Sequence, residues 1–120
     1  ANLYSGGTTL NAGTITVANN GALGTGTLTM GNNTTLNAGA NGLALANNIL
    51  LDAPFAGVAN VNVDSGLTFT LNGVISSTLD QALVKQGGGN LVLNGANTYG
   101  FATVLSAGTI TVGNNTALGT

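Results

Sequence analysis

Three carboxylates are the only acidic side chains in this 120-residue chain: Asp52, Asp64 and Asp80. They stand 12 and 16 residues apart, gaps that could set two of them on adjacent coils of a winding chain. Two carboxyl groups about 5–9 Å apart are what glycoside hydrolysis needs. The chemistry stops there. With no His, no Arg, no Glu, no Cys and the single base Lys85, nothing supplies a partner base, a metal ligand or an electrophile. The plainer assignment puts Asp52 and Asp80 in polar loops and Asp64 in the turn Asp64-Ser65-Gly66, and it outweighs the catalytic one. No catalytic, cofactor-binding or metal-ligating residue is assigned, and no cofactor; the chain reads as a non-enzyme.

Other patterns resolve the same way. Gly87-Gly88-Gly89 leads into Asn90 and Leu91, so the calcium-binding pattern GGxGxD is absent, as is the Lys-Ser/Thr ending of a phosphate loop. The pairs Thr14/Thr16, Thr27/Thr29, Thr68/Thr70 and Thr109/Thr111 have the form of an ice-binding ladder. Their spacings of 13, 41 and 41 residues do not require one shared face, and outward Thr is ordinary on strands. Asn32, Asn33 and Asn114 begin N-x-Ser/Thr sequences that read as turns. Tyr4 and Tyr99 occupy equivalent positions in two similar segments and read as rings packed at corners with satisfied hydroxyls, ahead of a sugar-stacking role.

Composition narrows the classes further. Only 3% of residues are charged, against 43% hydrophobic and 20 Gly. One Lys cannot make a nucleic-acid footprint or attract anionic lipid. Low charge with abundant Leu, Val and Ile is the reverse of a disordered composition. The most hydrophobic stretch, residues 43–51, is broken by Asn47 and Asn48 and falls short of the roughly 18 residues of a membrane helix. Strong helix formers are scarce, while Thr, Val, Ile and Asn/Gly turns recur, which predicts an all-β chain.

The elements that would position these residues are short. Alternating segments are expected at 8–12, 14–17, 27–30, 34–38, 43–46, 49–52, 58–63, 67–71, 82–84, 91–93, 103–106 and 109–112. The inward positions are Ile15, Val17, Leu28, Leu36, Leu67, Phe69, Leu71, Leu91, Leu93, Ile110 and Val112. The only Pro belongs in a corner, within Asp52-Ala53-Pro54-Phe55-Ala56-Gly57. Residues 76–81, the most polar stretch, read as a small bulging loop.

Residues 2–25 and 97–120 are two copies of one segment, identical at 16 of 24 aligned positions with an offset of 95. Self-similarity of this kind points to stacked coils. Residues 1–120 are expected to form a single solenoid segment, one 95-residue unit plus the start of the next, cut from a longer tandem array. At about twenty residues per coil it would make five or six coils and a rod of roughly 25–30 Å.

Gly87-Gly88-Gly89-Asn90-Leu91-Val92-Leu93-Asn94-Gly95-Ala96-Asn97-Thr98-Tyr99, with Ala107-Gly108-Thr109-Ile110 and Ala117-Leu118-Gly119, resembles the passenger-associated transport repeat of bacterial autotransporters. Asn2, Tyr4, Ser5-Gly6-Gly7-Thr8-Thr9, Ala12-Gly13-Thr14-Ile15 and Ala22-Leu23-Gly24 match its second half. Gly100-Phe101-Ala102 departs from the usual glycine pair, and residues 27–86 match in style alone. The resemblance implies a right-handed parallel β-helix on a secreted or surface-bound Gram-negative protein, attached to the outer membrane through a part outside these residues.

The expected role is structural: an extracellular stalk, filament or adhesin scaffold, with a carbohydrate- or ice-binding solenoid as the alternative and a polysaccharide-active enzyme behind it. Expected partners are neighbouring repeats, by self-association or head-to-tail stacking, since solenoid ends leave strand edges unpaired; a host or surface ligand is unnamed by the sequence. No nucleic acid and no membrane contact are expected.

Overall fold

Every strand of this chain is three to five residues long, too short to stand alone, and each is held by a parallel partner one coil away. The computed structural model describes residues 1–54 and 56–120; Phe55, placed with Pro54 in a corner by the sequence, lies outside the described residues. The first coil carries β1 (Thr8–Leu10) and β2 (Thr14–Val17). The second carries β3 (Leu28–Met30), β4 (Thr34–Ala38) and β5 (Leu43–Leu45), and the third β6 (Ile49–Leu51), β7 (Val58–Asn62) and β8 (Thr68–Leu71). The fourth carries β9 (Ile75–Ser77), β10 (Ala82–Gln86) and β11 (Asn90–Leu93), and the last β12 (Thr103–Leu105) and β13 (Thr109–Val112).

These strands stack into three parallel sheets that form the faces of a β-solenoid: β1-β3-β6-β9, β2-β4-β7-β10-β12 and β5-β8-β11-β13. The all-β parallel solenoid expected from the sequence is the fold observed. Alternation sends every second side chain inward, so like residues stack in columns along the axis. Thr8, Leu28, Ile49 and Ile75 form one column on the first face. Ile15, Leu36, Val61, Lys85 and Leu105 form another on the second. On the third, Leu43, Phe69, Leu91 and Ile110 stand beside Leu45, Leu71, Leu93 and Val112.

Of the inward residues named from sequence, Val17, Leu28, Leu36, Phe69, Leu71, Leu91 and Leu93 are buried, and Ile15, Leu67 and Ile110 pack partly buried against them. Val112 differs. It sits in the inward column above Leu93, yet is 51% exposed, since β13 is paired on one side alone among the described residues. Residues 76–81 differ as well: Ser76 and Ser77 belong to β9, paired to Leu50 and Leu51, and the loop begins only after them. The ladder of β6 recruits this polar stretch into the sheet despite its weak apolar signal.

The two copies of the repeated segment lie on different faces. In the first copy, β1 is in the first sheet and β2 in the second. In the second copy the equivalent strands, β12 and β13, are in the second and third sheets. The repeat therefore advances by four coils and one face. Inside each copy the geometry is the same. The tyrosine hydroxyl meets the threonine four residues on (Tyr4–Thr8 2.9 Å, Tyr99–Thr103 2.6 Å), and the tyrosine carbonyl accepts from the closing threonine (Thr25 3.1 Å, Thr120 3.0 Å).

Candidate functional surface

The acids sit at two corners of the solenoid. Asp52 follows β6 and accepts from the Thr78 hydroxyl at 3.2 Å; Asp80 lies at the same corner one coil on, where its carbonyl accepts from the Ala56 amide at 2.9 Å. Asp64 stands at a different corner, after β7, and accepts from Asn62 Nδ2 at 3.0 Å. All three are exposed, and the described residues contain no cleft and no group of three or more potential metal ligands. The arrangement holds carboxylates in corners, in line with the loop reading.

Lys85 is the functional-type residue whose position the sequence reading missed. It points inward from β10, fully buried between Val61 and Leu105. Its Nζ donates to the carbonyls of Gln86 (2.8 Å), Gly87 (2.7 Å) and Ala107 (3.3 Å). The ammonium thus ties the fourth coil to the fifth at one corner, with carbonyl dipoles in place of a counter-charge. Burial pushes its pKa below the ordinary lysine value. Two-residue alternation from Leu83 was the signal available: extending the strand past Val84 puts Lys85 on the inner face.

Asparagine does similar work without charge. Asn47, buried at the corner after β5, donates to the carbonyls of Gly24 (3.1 Å) and Gly26 (2.7 Å) in the preceding coil. Asn97 accepts from the Ile75 amide at 2.8 Å and donates to the Ala117 carbonyl at 2.6 Å, joining the coils on both sides. The sequons behave as turns: Asn32 accepts from the Val58 amide (3.1 Å), Asn33 adopts a left-handed φ of 57°, and Asn114 accepts from Thr116 N (2.9 Å).

The outer faces carry polar columns. Thr16, Asn37, Asn62 and Gln86 align on the second sheet. Their donors are engaged along the column, Asn62 to Asn37 at 2.7 Å and Asn37 to Thr16 at 3.3 Å, so they brace the sheet. The four Thr pairs do not make one row. Thr14/Thr16 lie on the second face, Thr29 on the first, and Thr68/Thr70 and Thr109/Thr111 on the third, where Asn90 and Val92 separate them. Tyr99 is a buried ring, its pKa raised by burial and lowered in part by its bond to Thr103; Tyr4 keeps the same hydroxyl bond on the open first coil.

The passenger-associated transport repeat matches residues 1–17 and 83–112, which hold β1, β2 and the run from β10 to β13. Over 111 residues, 91% of its length, the chain is 35% identical to the adhesin BmaC autotransporter of Brucella suis biovar 1 (strain 1330), of which it spans 3%. No solved structure matches the chain.

Proposed function

We propose that this segment is a structural length of an extracellular autotransporter passenger, a stalk or adhesin scaffold that spaces and displays other parts of a larger surface protein; the match of residues 1–17 and 83–112 to the passenger-associated transport repeat and the similarity to an autotransporter adhesin support the reading. One observation carries the reading: the three ladders run from coil to coil through apolar columns, and no cleft interrupts them among the described residues. Stacking with neighbouring repeats is its principal interaction, residues 1–120 act as one solenoid segment, and attachment to the outer membrane comes from a part outside them. The adhesin named among its relatives supports a non-enzymatic role at the cell surface.

The test is location and load. In cells producing the parent protein, antibody raised against this segment should label intact cells, and brief protease treatment from outside should remove the label. Labelling that needs permeabilised cells would end the proposal. The binding-module alternative has weaker support, because the aligned Asn column spends its donors internally; measurable thermal hysteresis by the isolated chain would restore it.

A further inference from the structure

Asparagine is followed by glycine at four places: Asn20-Gly21, Asn41-Gly42, Asn72-Gly73 and Asn94-Gly95. Such a step is reactive. Once deprotonated, the glycine nitrogen attacks the asparagine Cγ and closes a five-membered succinimide, with no Cβ to obstruct it. The reaction needs that nitrogen free, the side-chain carbonyl polarised and the departing amide unheld. All four asparagines are exposed, so exposure does not separate them. Their hydrogen bonds do.

Two of the steps are locked. The Gly21 amide donates to Asn19 Oδ1 at 2.8 Å, and Asn20 Oδ1 accepts from the Ala44 amide at 2.9 Å. The Gly42 amide donates to the Thr68 carbonyl at 3.0 Å, while Asn41 Oδ1 accepts from the Thr68 amide at 2.9 Å. In both, the attacking nitrogen is already engaged.

The other two turn the same corner in successive coils, because Leu71 of β8 pairs with Leu93 of β11. Neither Gly73 nor Gly95 has a partner for its amide among the described residues. One bond then sorts the pair: Asn94 Nδ2 donates to Asn72 Oδ1 at 2.9 Å. At Asn72 it polarises the carbonyl to be attacked and stabilises the oxyanion that forms there. At Asn94 it holds the amide that would have to leave.

We propose that Asn72 is a modification site, converting spontaneously to aspartate through a succinimide with Gly73, and that Asn94 is the positioning residue that polarises its carbonyl. The Gly73 amide proton goes to solvent hydroxide, the N–Cγ bond forms, the Cγ–Nδ2 bond breaks, and ammonia leaves with a proton taken from water. Water then opens the ring. Cleavage at Cγ restores the ordinary backbone with an aspartate; cleavage at the main-chain carbonyl gives isoaspartate, one carbon longer in the backbone. The corner favours the first product. Gly73 packs against the Asn47 carbonyl and the Asn48 nitrogen with no space for a Cβ, which keeps glycine at the step and resists a longer backbone. Aspartate retains the bond from Asn94, now charge-assisted.

Peptide mass mapping of the 120-residue chain, held folded at mildly alkaline pH beside a urea-unfolded sample, tests the assignment. Amide loss at position 72 should run about threefold or more ahead of position 94, with positions 20 and 41 slower still and aspartate ahead of isoaspartate. Asn94→Ala should slow conversion at position 72 by about threefold or more, the opposite of what a loosened fold would do. Asn94→Gln, which keeps an amide donor, should recover part of that rate. Equal rates at 72 and 94 in the unaltered chain would overturn the proposal. So would an unchanged or faster rate at 72 in Asn94→Ala, mainly isoaspartate as product, or conversion confined to the unfolded sample.

Discussion

At the residue scale, buried polar groups hold one coil to the next, and their removal should be costly in proportion to what they leave unpaired. Asn97→Ala strands the Ile75 amide and the Ala117 carbonyl, each worth about 1–3 kcal/mol when buried without a partner. A loss of about 2–4 kcal/mol in urea unfolding is expected. Asn2→Ala, at the equivalent position on the exposed first coil, should lose less than about 1 kcal/mol. Lys85 adds a pH signature. Its folded pKa is lowered by burial, so the unfolded chain holds the proton more tightly. Stability should therefore rise as pH climbs through the folded value, levelling off near the ordinary lysine value. Tyr99 acts oppositely: its raised pKa means the unfolded phenol ionises first, and stability falls above the ordinary tyrosine value. In Lys85→Met the rising limb of the urea midpoint against pH should vanish, whatever the variant's baseline; its persistence would assign the slope elsewhere. Tyr4, read as a packed ring, is 43% exposed, while the packing of Tyr99 was legible from sequence. The inward position of Lys85 was missed because a lone lysine beside a glycine run looks like the end of a strand, although alternation from Leu83 points it inward.

At the element scale, turn geometry and burial depth can be separated by using the two copies as mutual controls. Gly13 and Gly108 open the equivalent strands β2 and β13 with φ of 80° and 71°. A side chain at Gly13 would meet nothing within 4 Å, whereas a Cβ at Gly108 would lie 2.3 Å from the Gly89 carbonyl oxygen. Gly13→Ala should thus cost only the left-handed penalty, about 1–2 kcal/mol, and Gly108→Ala distinctly more, because backbone must move. Equal shifts in melting temperature would remove the clash from the account. Depth works in the opposite order along one column. Leu91 is fully buried between Phe69 and Ile110, so Leu91→Asp places a charge where no partner exists and should unfold the chain at ambient temperature. Ile110→Asp, on the open last coil, should be tolerated better, a gentler outcome than the several kcal/mol that burial on both sides would impose. Twelve of the thirteen strands among the described residues could be read from alternation and turns. The exception, β9, has a single apolar residue and owes its strand to the edge of β6, which no local pattern reveals.

At the scale of the whole molecule, the sequence shows that the repeat recurs after 95 residues but not where on the axis it lands. Coil lengths explain why. Register steps between paired strands range from 19 residues (Asn90 to Thr109) to 26 (Leu43 to Phe69), so no constant period turns chain length into rotation. The one-face advance emerges only when the irregular corners near Asp52 and Asp80 are counted in space. The same architecture makes stability a matter of neighbours, since each coil is held by the two beside it and the end coils by one. The central columns are sealed, whereas Val112, Leu105 and Leu118 are about half exposed, so opening the last coil uncovers little that folding had hidden. In a chain of residues 1–120 alone, native-state hydrogen exchange should consequently grade along the axis: slowest in β7 and β8, faster in β3 and β11, and fastest in β1, β2, β12 and β13, with the last group about tenfold or more above the centre. In low denaturant the outer amides should exchange through openings that leave the centre closed. A single rate constant of opening shared by all five coils would instead show that the columns transmit cooperativity end to end, and the nearest-neighbour description of this solenoid would have to be abandoned.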